Sequence, residues 1–222
     1  MVTGHFQEFE DEYLETLFDF HEKSPGMRVR NGALAKYLDL APASVTEMIQ
    51  RLSRNGFVDY IPYKGVLLTE TGIKHGMMIK RRHRLAEVLL AILPFEGDIH
   101  ATACMMEHAI DDDLEVCLTQ LLGDPQIDPS GKKIPEPSDR VSARLAIAPR
   151  IKPLADLEKG EKGEVILIAL LPEERATIYQ IGIEIGDVIT KNIDSISVGD
   201  SEMVLNEWLS RHVIVRCFDE WN

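Results

Sequence analysis

The first apolar pattern along the chain has helical spacing. Within positions 7–22, apolar side chains recur every three to four residues, at Phe9, Tyr13, Leu14, Leu17 and Phe18. This periodicity predicts an amphipathic helix. A Ser-Pro-Gly sequence at positions 24–26 predicts the end of that helix, because proline and glycine both interrupt helical backbone.

Two shorter helical patterns follow. Residues 33–38 and 43–55 predict helices that are joined by a tight turn at 39–42, and Gly56 is typical of the residue that ends a helix. The second of these helices places small and polar side chains on its outer face, as a helix does that meets the edges of DNA bases.

A predicted hairpin comes directly after these two helices. Residues 57–61 and 65–69 predict strands that are joined at positions 62–64, which read Pro-Tyr-Lys. Two helices joined by a tight turn and followed by a hairpin are typical of a winged helix-turn-helix, which is a DNA-binding fold.

The remaining two thirds of the chain change from helical to strand patterns. Long helices are predicted from about 71 to 94 and over 99–122, and the proline-rich stretch 123–153 predicts an extended connection. Short apolar runs alternate with Gly and Asp turns over 160–218, with one helical turn at 177–179. The predicted fold is therefore mainly α, with a small β-barrel at the C-terminal end.

The net charge of −13 argues against DNA binding until its distribution is considered. Residues 27–84 hold eleven Lys or Arg and four Asp or Glu, a local charge of +7. Residues 1–26 carry −6 and residues 85–222 carry −14. A basic block in an acidic chain is typical of a surface that binds phosphate groups, so the charge pattern supports the DNA-binding prediction.

The sequence predicts a cytoplasmic protein without a membrane partner. Residues 1–26 hold one Lys and seven acidic residues, unlike the basic start of a signal peptide. The longest apolar run, 165–171, is far shorter than a membrane helix. Three cysteines without a CxxC pair are typical of a reducing compartment.

Side chains that bind metals are concentrated on the two long predicted helices. The six candidates recur at spacings of three and four residues, so that neighbours share a helix face: His83, Glu87, His100, Cys104, Glu107 and His108. Nitrogen, sulfur and oxygen donors together favour a first-row transition metal over calcium or magnesium. Any single pair is more often a solvated helix face, but six such residues on consecutive helices favour a metal site.

Two other classes of protein remain open at this point. A His, Cys and Glu metal site is also found in hydrolases, but the chain has no HExxH motif and no obvious nucleophile, which favours a protein that is not an enzyme. A winged-helix regulator that responds to an organic ligand and carries structural zinc is the other alternative.

The motifs of the central segment resemble those of the diphtheria toxin repressor family of iron- and manganese-dependent regulators. The resemblance is carried by RRHRLAEVLL, IHATACMMEH and DPSGKKIP, and above all by H-R-L-A-E followed by H-x-x-x-C-x-x-E-H. It covers nearly the whole chain. It implies a metal-dependent repressor of metal homeostasis genes that binds operator DNA as a homodimer and has no small-molecule substrate.

The family resemblance also implies a division into domains. A winged-helix DNA-binding domain would span 1–76, and a helical metal-binding and dimerisation domain would span 77–140. A linker at 141–155 would lead to a small barrel of the Src-homology-3 kind, similar to FeoA, at 156–222.

Two metal sites are implied by the same resemblance. The primary site would use Cys104, Glu107 and His108, completed by Glu12 and Glu15 of the N-terminal helix. The ancillary site would use His83, Glu87 and His100. Glu12 departs from the Met of iron-type members and Glu15 matches a carboxylate of manganese-type members, whereas Cys104 matches the iron type.

The hybrid donor set leads to a prediction about the metal. The thiolate of Cys104 favours iron, whereas the extra carboxylate favours manganese. We expect Fe(II) to be favoured over Mn(II), and Zn(II), Co(II) or Ni(II) to act as substitutes.

The winged helix predicts its own DNA contacts. Ser44, Thr46 and Glu47 would face base edges or phosphates near the start of the recognition helix. The other four candidates would contact phosphates: Arg51, Arg54, Tyr63 and Lys64.

Overall fold

The chain's structure, a computed structural model, describes residues 4–93 and 95–218. It contains two compact units. The first holds the described residues up to Glu115 together with Pro125–Ser142, and the second holds Val116–Asp124 and the described residues from Ala143 onward. None of the helices in these ranges is long and apolar enough to cross a membrane.

The elements that begin the chain form a winged helix. They are helix α1 (Gly4–Lys23), helix α2 (Asn31–Leu38), helix α3 (Pro42–Arg54), strand β1 (Val58–Ile61) and strand β2 (Gly65–Leu68). The two strands pair antiparallel, and the apolar faces of the three helices enclose one core with them. The predicted winged helix-turn-helix is thereby confirmed.

Helix α4 (Glu70–Ile92) is the long helix that the sequence predicts, although its predicted end at Pro94 lies outside the described residues. The Thr69 hydroxyl caps its first turn by accepting from the Gly72 amide at 3.1 Å. A Cβ at Gly76 would lie 2.7 Å from the Cβ of Phe18, so that glycine allows α4 to pack closely against α1. This close packing brings the polar side chains of the two helices together.

The prediction of one helix over 99–122 is wrong. The segment contains helix α5 (Ile99–Met106), a 3-10 turn (Glu107–Ala109) and helix α6 (Asp112–Leu121). The break has a local cause, because the Asp111 carboxylate accepts from the amide of Leu114 at 2.9 Å and starts a new helix. Glu107 and His108 therefore project from a turn, at angles that a continuous helix would not give them.

The predicted extended connection over 123–153 contains more structure than its prolines indicate. Helix α7 (Asp139–Leu145) lies within it, and strand β3 (Ile151–Pro153) ends it. Asp128 is buried and its carboxylate accepts from the amides of Ser130 and Lys132. Asp128 also lies 3.6 Å from the guanidinium of Arg84, so a buried ion pair holds the loop on α4.

The second unit contains an antiparallel sheet of six strands, as the predicted fold class requires. Besides β3 it uses β4 (Lys162–Ile168), β5 (Val188–Lys191), β6 (Ile196–Val198), β7 (Ser201–Met203) and β8 (Val213–Cys217). Their order in the sheet is β3-β8-β4-β5-β6-β7. The helical turn predicted at 177–179 is part of a longer helix, α8 (Pro172–Gln180), and α9 (Glu207–His212) was not predicted.

Candidate metal centre and DNA-binding surface

A cavity of about 660 Å³ lies within the first unit, where α1, α4, α5 and the 3-10 turn meet. Its polar lining contains carboxylates from α1 and the turn, one lysine from α4, and the side chains of His100, Cys104 and His108. Six of the eight predicted metal ligands line it: Glu12, Glu15, His100, Cys104, Glu107 and His108. The other two, His83 and Glu87, lie beside it on α4 and contact its lining.

His83 is the residue on which the cluster is centred, and its side chain is buried. Its Nδ1 atom lies 2.7 Å from Glu107 Oε2, 3.7 Å from Glu15 Oε1 and 3.8 Å from Cys104 Sγ. One imidazole nitrogen of α4 therefore faces ligand atoms from α1, from α5 and from the turn. Glu15 is the contact from α1, and through Glu15 the cluster connects α1 to α4.

The other nitrogen of His83 faces a second set of donors. His83 Nε2 lies 3.1 Å from Glu87 Oε1 and 3.2 Å from His100 Nδ1. The same Glu87 oxygen lies 3.1 Å from His100 Nδ1, and Cys104 Sγ lies 4.0 Å from His100 Nε2. The two sites implied by the sequence are thus contiguous, with His83 between them.

Two groups of side chains have the geometry of metal ligands. His83, His100 and Cys104 form one group, and Glu15, His83 and Glu107 form the other, each with ligand atoms within 4.8 Å of one another. Imidazole, thiolate and carboxylate donors fit a divalent first-row transition metal. Among the residues that the structure describes, three of the eight predicted ligands join neither group: Glu12 and His108, which line the cavity, and Glu87, which contacts His83 and His100.

Asp11 is a member of this region that sequence reasoning missed. It is buried, its Oδ1 lies 2.6 Å from His75 Nε2, and its Oδ2 lies 3.6 Å from His108 Nδ1. Burial alone would raise the pKa of Asp11, but its contacts with His108 and His75 outweigh burial and lower the pKa. The sequence did contain a signal for Asp11, because Asp11, Leu14 and Phe18 share one face of α1. A carboxylate on an apolar helix face is buried and therefore needs a polar partner.

Lys80 is a second residue that the sequence analysis missed. Its ammonium group is buried and lies 2.7 Å from Glu15 Oε1 and 2.8 Å from Asp19 Oδ1. Burial alone would lower the pKa of Lys80, but Glu15 and Asp19 outweigh burial and raise it. The spacing of Lys80, His83 and Glu87 at i, i+3 and i+7 indicates one shared face of α4.

The His83–Glu107 pair retains a proton more strongly than an isolated histidine. Burial would lower the pKa of His83, but hydrogen bonds with Cys104 and Glu107 and the charge of Glu15 raise it to about 10. Burial also raises the pKa of Glu107, and the charge of Glu15 adds to this. The raised pKa of His83 and the raised pKa of Glu107 both describe a pair that shares one proton, next to the carboxylate of Glu15.

The predicted DNA-contacting side chains on α3 differ in their exposure and in whether other residues of the motif hold them. Ser44, Glu47 and Arg54 are exposed. The Thr46 hydroxyl donates to the carbonyl of Pro42 at 2.8 Å and accepts from Asn31 Nδ2 at 3.2 Å, so it links the two helices of the motif.

Arg51 connects the recognition helix to α1. Its Nε atom lies 2.6 Å from the carboxylate of Glu10. Glu10 belongs to the same helix as Glu15, so one rigid element contacts both α3 and the metal-ligand cluster. This connection was not predictable from spacing within α3.

The tip of the wing carries the most exposed aromatic side chain of the described residues. Tyr63 is 104% exposed and has a left-handed backbone (φ 64°), and Lys64 beside it is also exposed. A groove runs between the wing and the two helices of the motif. Its polar lining contains Arg30 and Gln50, which sequence reasoning did not include among the DNA contacts.

Comparison with known protein families gives two matches. The N-terminal DNA-binding domain of the iron-dependent repressors matches residues 5–66, and their metal-binding and dimerisation domain matches residues 69–136. The two matches divide the first unit between the winged helix and the segment that carries most of the ligand cluster.

Relatives of this chain carry corresponding names. The iron-dependent repressor IdeR of Mycobacterium tuberculosis (strain H37Rv) is 31% identical over 190 residues, which are 75% of this chain and 81% of that protein. The diphtheria toxin repressor of Corynebacterium glutamicum is 30% identical over 125 residues, 55% of this chain and 54% of that protein.

The fold is shared with solved structures. A manganese-dependent transcriptional repressor in complex with manganese aligns with a TM-score of 0.52 and 22% identity, over 94% of this chain and 100% of that one. A likeness at this level of identity shows the fold alone.

Proposed function

The chain belongs to the diphtheria toxin repressor family of metal-dependent transcriptional repressors, and from that premise we propose that it binds operator DNA as a homodimer when Fe(II), or less favourably Mn(II), is bound. The family consists of regulators and not enzymes, as the sequence analysis predicts. We further propose that the protein acts in the cytoplasm on genes of metal homeostasis.

The observation that carries the proposal is the position of His83. Its two nitrogens meet carboxylates from α1, α4 and the 3-10 turn, together with Cys104 and His100 of α5. A ligand cluster made from this many elements couples metal occupancy to the positions of those elements. A cluster confined to one helix would bind an ion without moving anything.

The proposed ligands are the eight residues predicted from sequence: Glu12, Glu15, His83, Glu87, His100, Cys104, Glu107 and His108. Glu15, His83 and Glu107 would hold one ion, with Glu12 and His108 beside them in the cavity, and Glu87, His100 and Cys104 offer the donors for another. Imidazole and thiolate donors bind Fe(II) more tightly than Mn(II) by the general order of metal affinities. Zn(II), Co(II) and Ni(II) would substitute for the same reason.

The mechanism follows from α1. In the absence of metal, the Lys80 ammonium and the proton shared by His83 and Glu107 offset only part of the negative charge of the carboxylates that line the cavity. Glu15, His83 and Glu107 would hold a dication that offsets the rest. Glu15 would then hold α1 in one position, and Glu10 on the same helix contacts Arg51 of the recognition helix at 2.6 Å. The metal-bound arrangement would thereby set the position of α3. A 100-fold preference of the metal for that arrangement supplies about 2.7 kcal/mol of bias.

The proposed domain division follows the sequence analysis. The family matches at 5–66 and 69–136 support a DNA-binding domain at 1–76 and a metal-binding and dimerisation domain at 77–140. A linker at 141–155 and a C-terminal module at 156–222 complete the proposed division. In a homodimer, two recognition helices would enter successive major grooves about 34 Å apart or a multiple of that distance.

The proposed function is tested with metal-free protein and a random-sequence duplex library. Bound duplexes are selected under anaerobic, reducing conditions with Fe(II), Mn(II) or Zn(II), and with no metal. Selection of a palindromic sequence only when metal is present, at a lower concentration of Fe(II) than of Mn(II), is the expected result. Equal selection without metal would contradict the proposal and favour a regulator that responds to an organic ligand.

Lys64→Ala tests whether the wing contacts DNA. We expect weaker binding to all sequences alike, and a salt dependence whose slope falls by about one, because one phosphate contact is lost. Binding to the selected duplex and to an unrelated duplex is measured between low and moderate salt. Lys133→Ala is the matched control, because Lys133 is also an exposed lysine and its ammonium is paired with Glu136 at 3.0 Å. An unchanged salt dependence in Lys64→Ala would show that Lys64 of the wing does not contact DNA.

A further inference from the structure

A buried ammonium group lies at one end of the metal-ligand cluster. Lys80 is 6% exposed, and its Nζ atom contacts Glu15 at 2.7 Å and Asp19 at 2.8 Å. Among the described residues that line the cavity it is the only Lys or Arg, and the same lining contains four acidic side chains. A cation is thus built into a cavity whose other charges attract cations.

Lys80 and the candidate metal site use the same oxygen atom. Oε1 of Glu15 accepts from Lys80 and also lies 3.7 Å from Nδ1 of His83, the nitrogen that faces Glu107. An ion held by Glu15, His83 and Glu107 would share this oxygen with the ammonium or take it from Lys80. Two positive groups this close repel each other, since the protein interior screens charges less than water does.

We propose that Lys80 is a positioning residue that competes with the metal for Glu15, lowering metal affinity and so setting the metal concentration at which the repressor is activated. This inference rests on the proposed metal site. In the metal-free protein, the Lys80 ammonium contacts Glu15 and Asp19 of α1 and offsets part of their negative charge. Activation then requires enough metal to outcompete a charge that is always present.

Asp19 provides Lys80 with a second anionic partner. A buried ammonium that loses its only carboxylate is strongly destabilised. Asp19 lies one helical turn from Glu15 on α1 and contacts the same Nζ atom, so Lys80 retains an anionic partner when Glu15 turns to the metal. Lys80 would therefore have two roles at different occupancies, as a partner of Glu15 before metal binds and of Asp19 afterwards.

Lys80→Met is the direct test, with Mn(II) as the probe and isothermal titration calorimetry as the measurement. We expect roughly tenfold tighter binding or more, because a charge beside the ion and a competitor for Glu15 are both removed. Lys74→Met is the matched control: Lys74 lies on the same helix, is exposed and pairs with Glu70, so it removes the same charge away from the cavity. Equal affinity in wild type and Lys80→Met would overturn the inference.

A double-mutant cycle separates competition for Glu15 from a general effect of charge. In a Glu15→Gln background the gain from Lys80→Met should fall to about twofold or less, because the shared oxygen no longer carries the charge for which the two cations compete. The same gain in both backgrounds would overturn competition through Glu15. A lower melting temperature of the metal-free Lys80→Met protein with unchanged metal affinity would overturn it as well, since that is the result for a purely structural lysine.

Asp19→Asn provides a test in the opposite direction and does not depend on the folding of Lys80→Met. Binding of Mn(II) should become weaker by about threefold or more, because Lys80 then has only Glu15 as an anionic partner and holds it more firmly. Unchanged or tighter binding would overturn the inference. Failure of the wild-type protein to bind Mn(II) or Fe(II) would overturn the proposed function itself, whereas a normal wild type with unresponsive variants overturns only the role of Lys80.

Discussion

His83→Ala is expected to abolish the response of DNA binding to metal, with a loss of metal affinity of more than about 100-fold. Losing an outer-shell partner of a metal ligand already costs roughly 10- to 100-fold. His83 belongs to both groups of ligand-bearing side chains, so its removal leaves Glu15 and Glu107 without an imidazole and leaves His100 as the one imidazole beside Glu87 and Cys104 among the described contacts. The selected duplex should then bind equally with and without metal.

The experiment measures two quantities on the same variant. Metal binding is followed by calorimetry, and DNA binding is followed by fluorescence anisotropy with and without Fe(II) or Mn(II). His212→Ala is the matched control, because His212 lies in the second unit and its Nδ1 contacts the carbonyl of Trp208 at 2.7 Å. If His83→Ala kept wild-type metal affinity and metal-dependent DNA binding, the metal centre would lie elsewhere in the chain.

The winged helix was predictable because its elements are encoded locally. Leu34, Val45, Ile49 and Leu52 recur at helical spacing, and all four are buried in the core that the strands complete. Helical spacing, a turn and a hairpin are each a property of a few neighbouring residues, so the order of elements could be predicted before their packing was known.

The break between α5 and α6 could not be predicted in the same way. Residues 99–122 contain neither glycine nor proline, the residues that most often interrupt a helix. The break depends on the Asp111 carboxylate, which accepts from a backbone amide in competition with a continuous helix. Its consequence is large, because Glu107 projects from the turn toward His83.

The types of ligand were predictable, but their grouping was not. Spacing of four residues placed His83 with Glu87 on one helix face, and His100 with Cys104 on a face of the next helix. Whether Glu15 meets His83 depends on the packing of α1 against α4 at Gly76, a contact between residues about 60 positions apart. Whether His100 and Cys104 meet His83 depends on the packing of α5 against α4. Lys80 was missed for a related reason, since a lysine is normally exposed and only its carboxylate partners on α1 make its burial favourable.

The DNA-binding surface shows the same limit. Thr46 and Arg51 lie on the predicted recognition helix, but the hydroxyl of Thr46 contacts Pro42 and Asn31, and the guanidinium of Arg51 contacts Glu10. Helical periodicity predicts which side chains face outward from the helix. It does not predict which of them are held by a neighbouring element.

The second large effect that we expect is on the pH dependence of metal binding. Metal affinity should rise about tenfold for each pH unit between roughly pH 6 and 9. Metal binds the deprotonated forms of histidine and carboxylate, so binding releases the protons that the ligands hold. The pKa of His83 is raised to about 10 in the metal-free protein, and the pair that it forms with Glu107 therefore holds one proton throughout this range. Release of one proton for each ion gives this slope.

The stability of the metal-free protein should change with pH in the opposite direction. The folded pKa of His83, about 10, is above the ordinary value of 6.5, so the protonated pair stabilises the fold fully below pH 6.5. This contribution is lost as the pH rises from 6.5 through about 10. Metal should therefore raise the melting temperature more at pH 8 than at about pH 6, since the free protein loses stability while the metal-bound form gains affinity.

Calorimetry in buffers of different ionisation enthalpy measures the proton release directly. At about pH 7 to 8 we expect close to one proton released for each Mn(II) ion bound at the Glu15–His83–Glu107 group. The His212→Ala control should release the same number. Glu107→Gln should release fewer protons and show a shallower dependence of affinity on pH, because the variant removes a carboxylate that contributes to the raised pKa of His83. A pH-independent affinity in the wild-type protein would exclude a protonated His83–Glu107 pair as the group that metal must deprotonate.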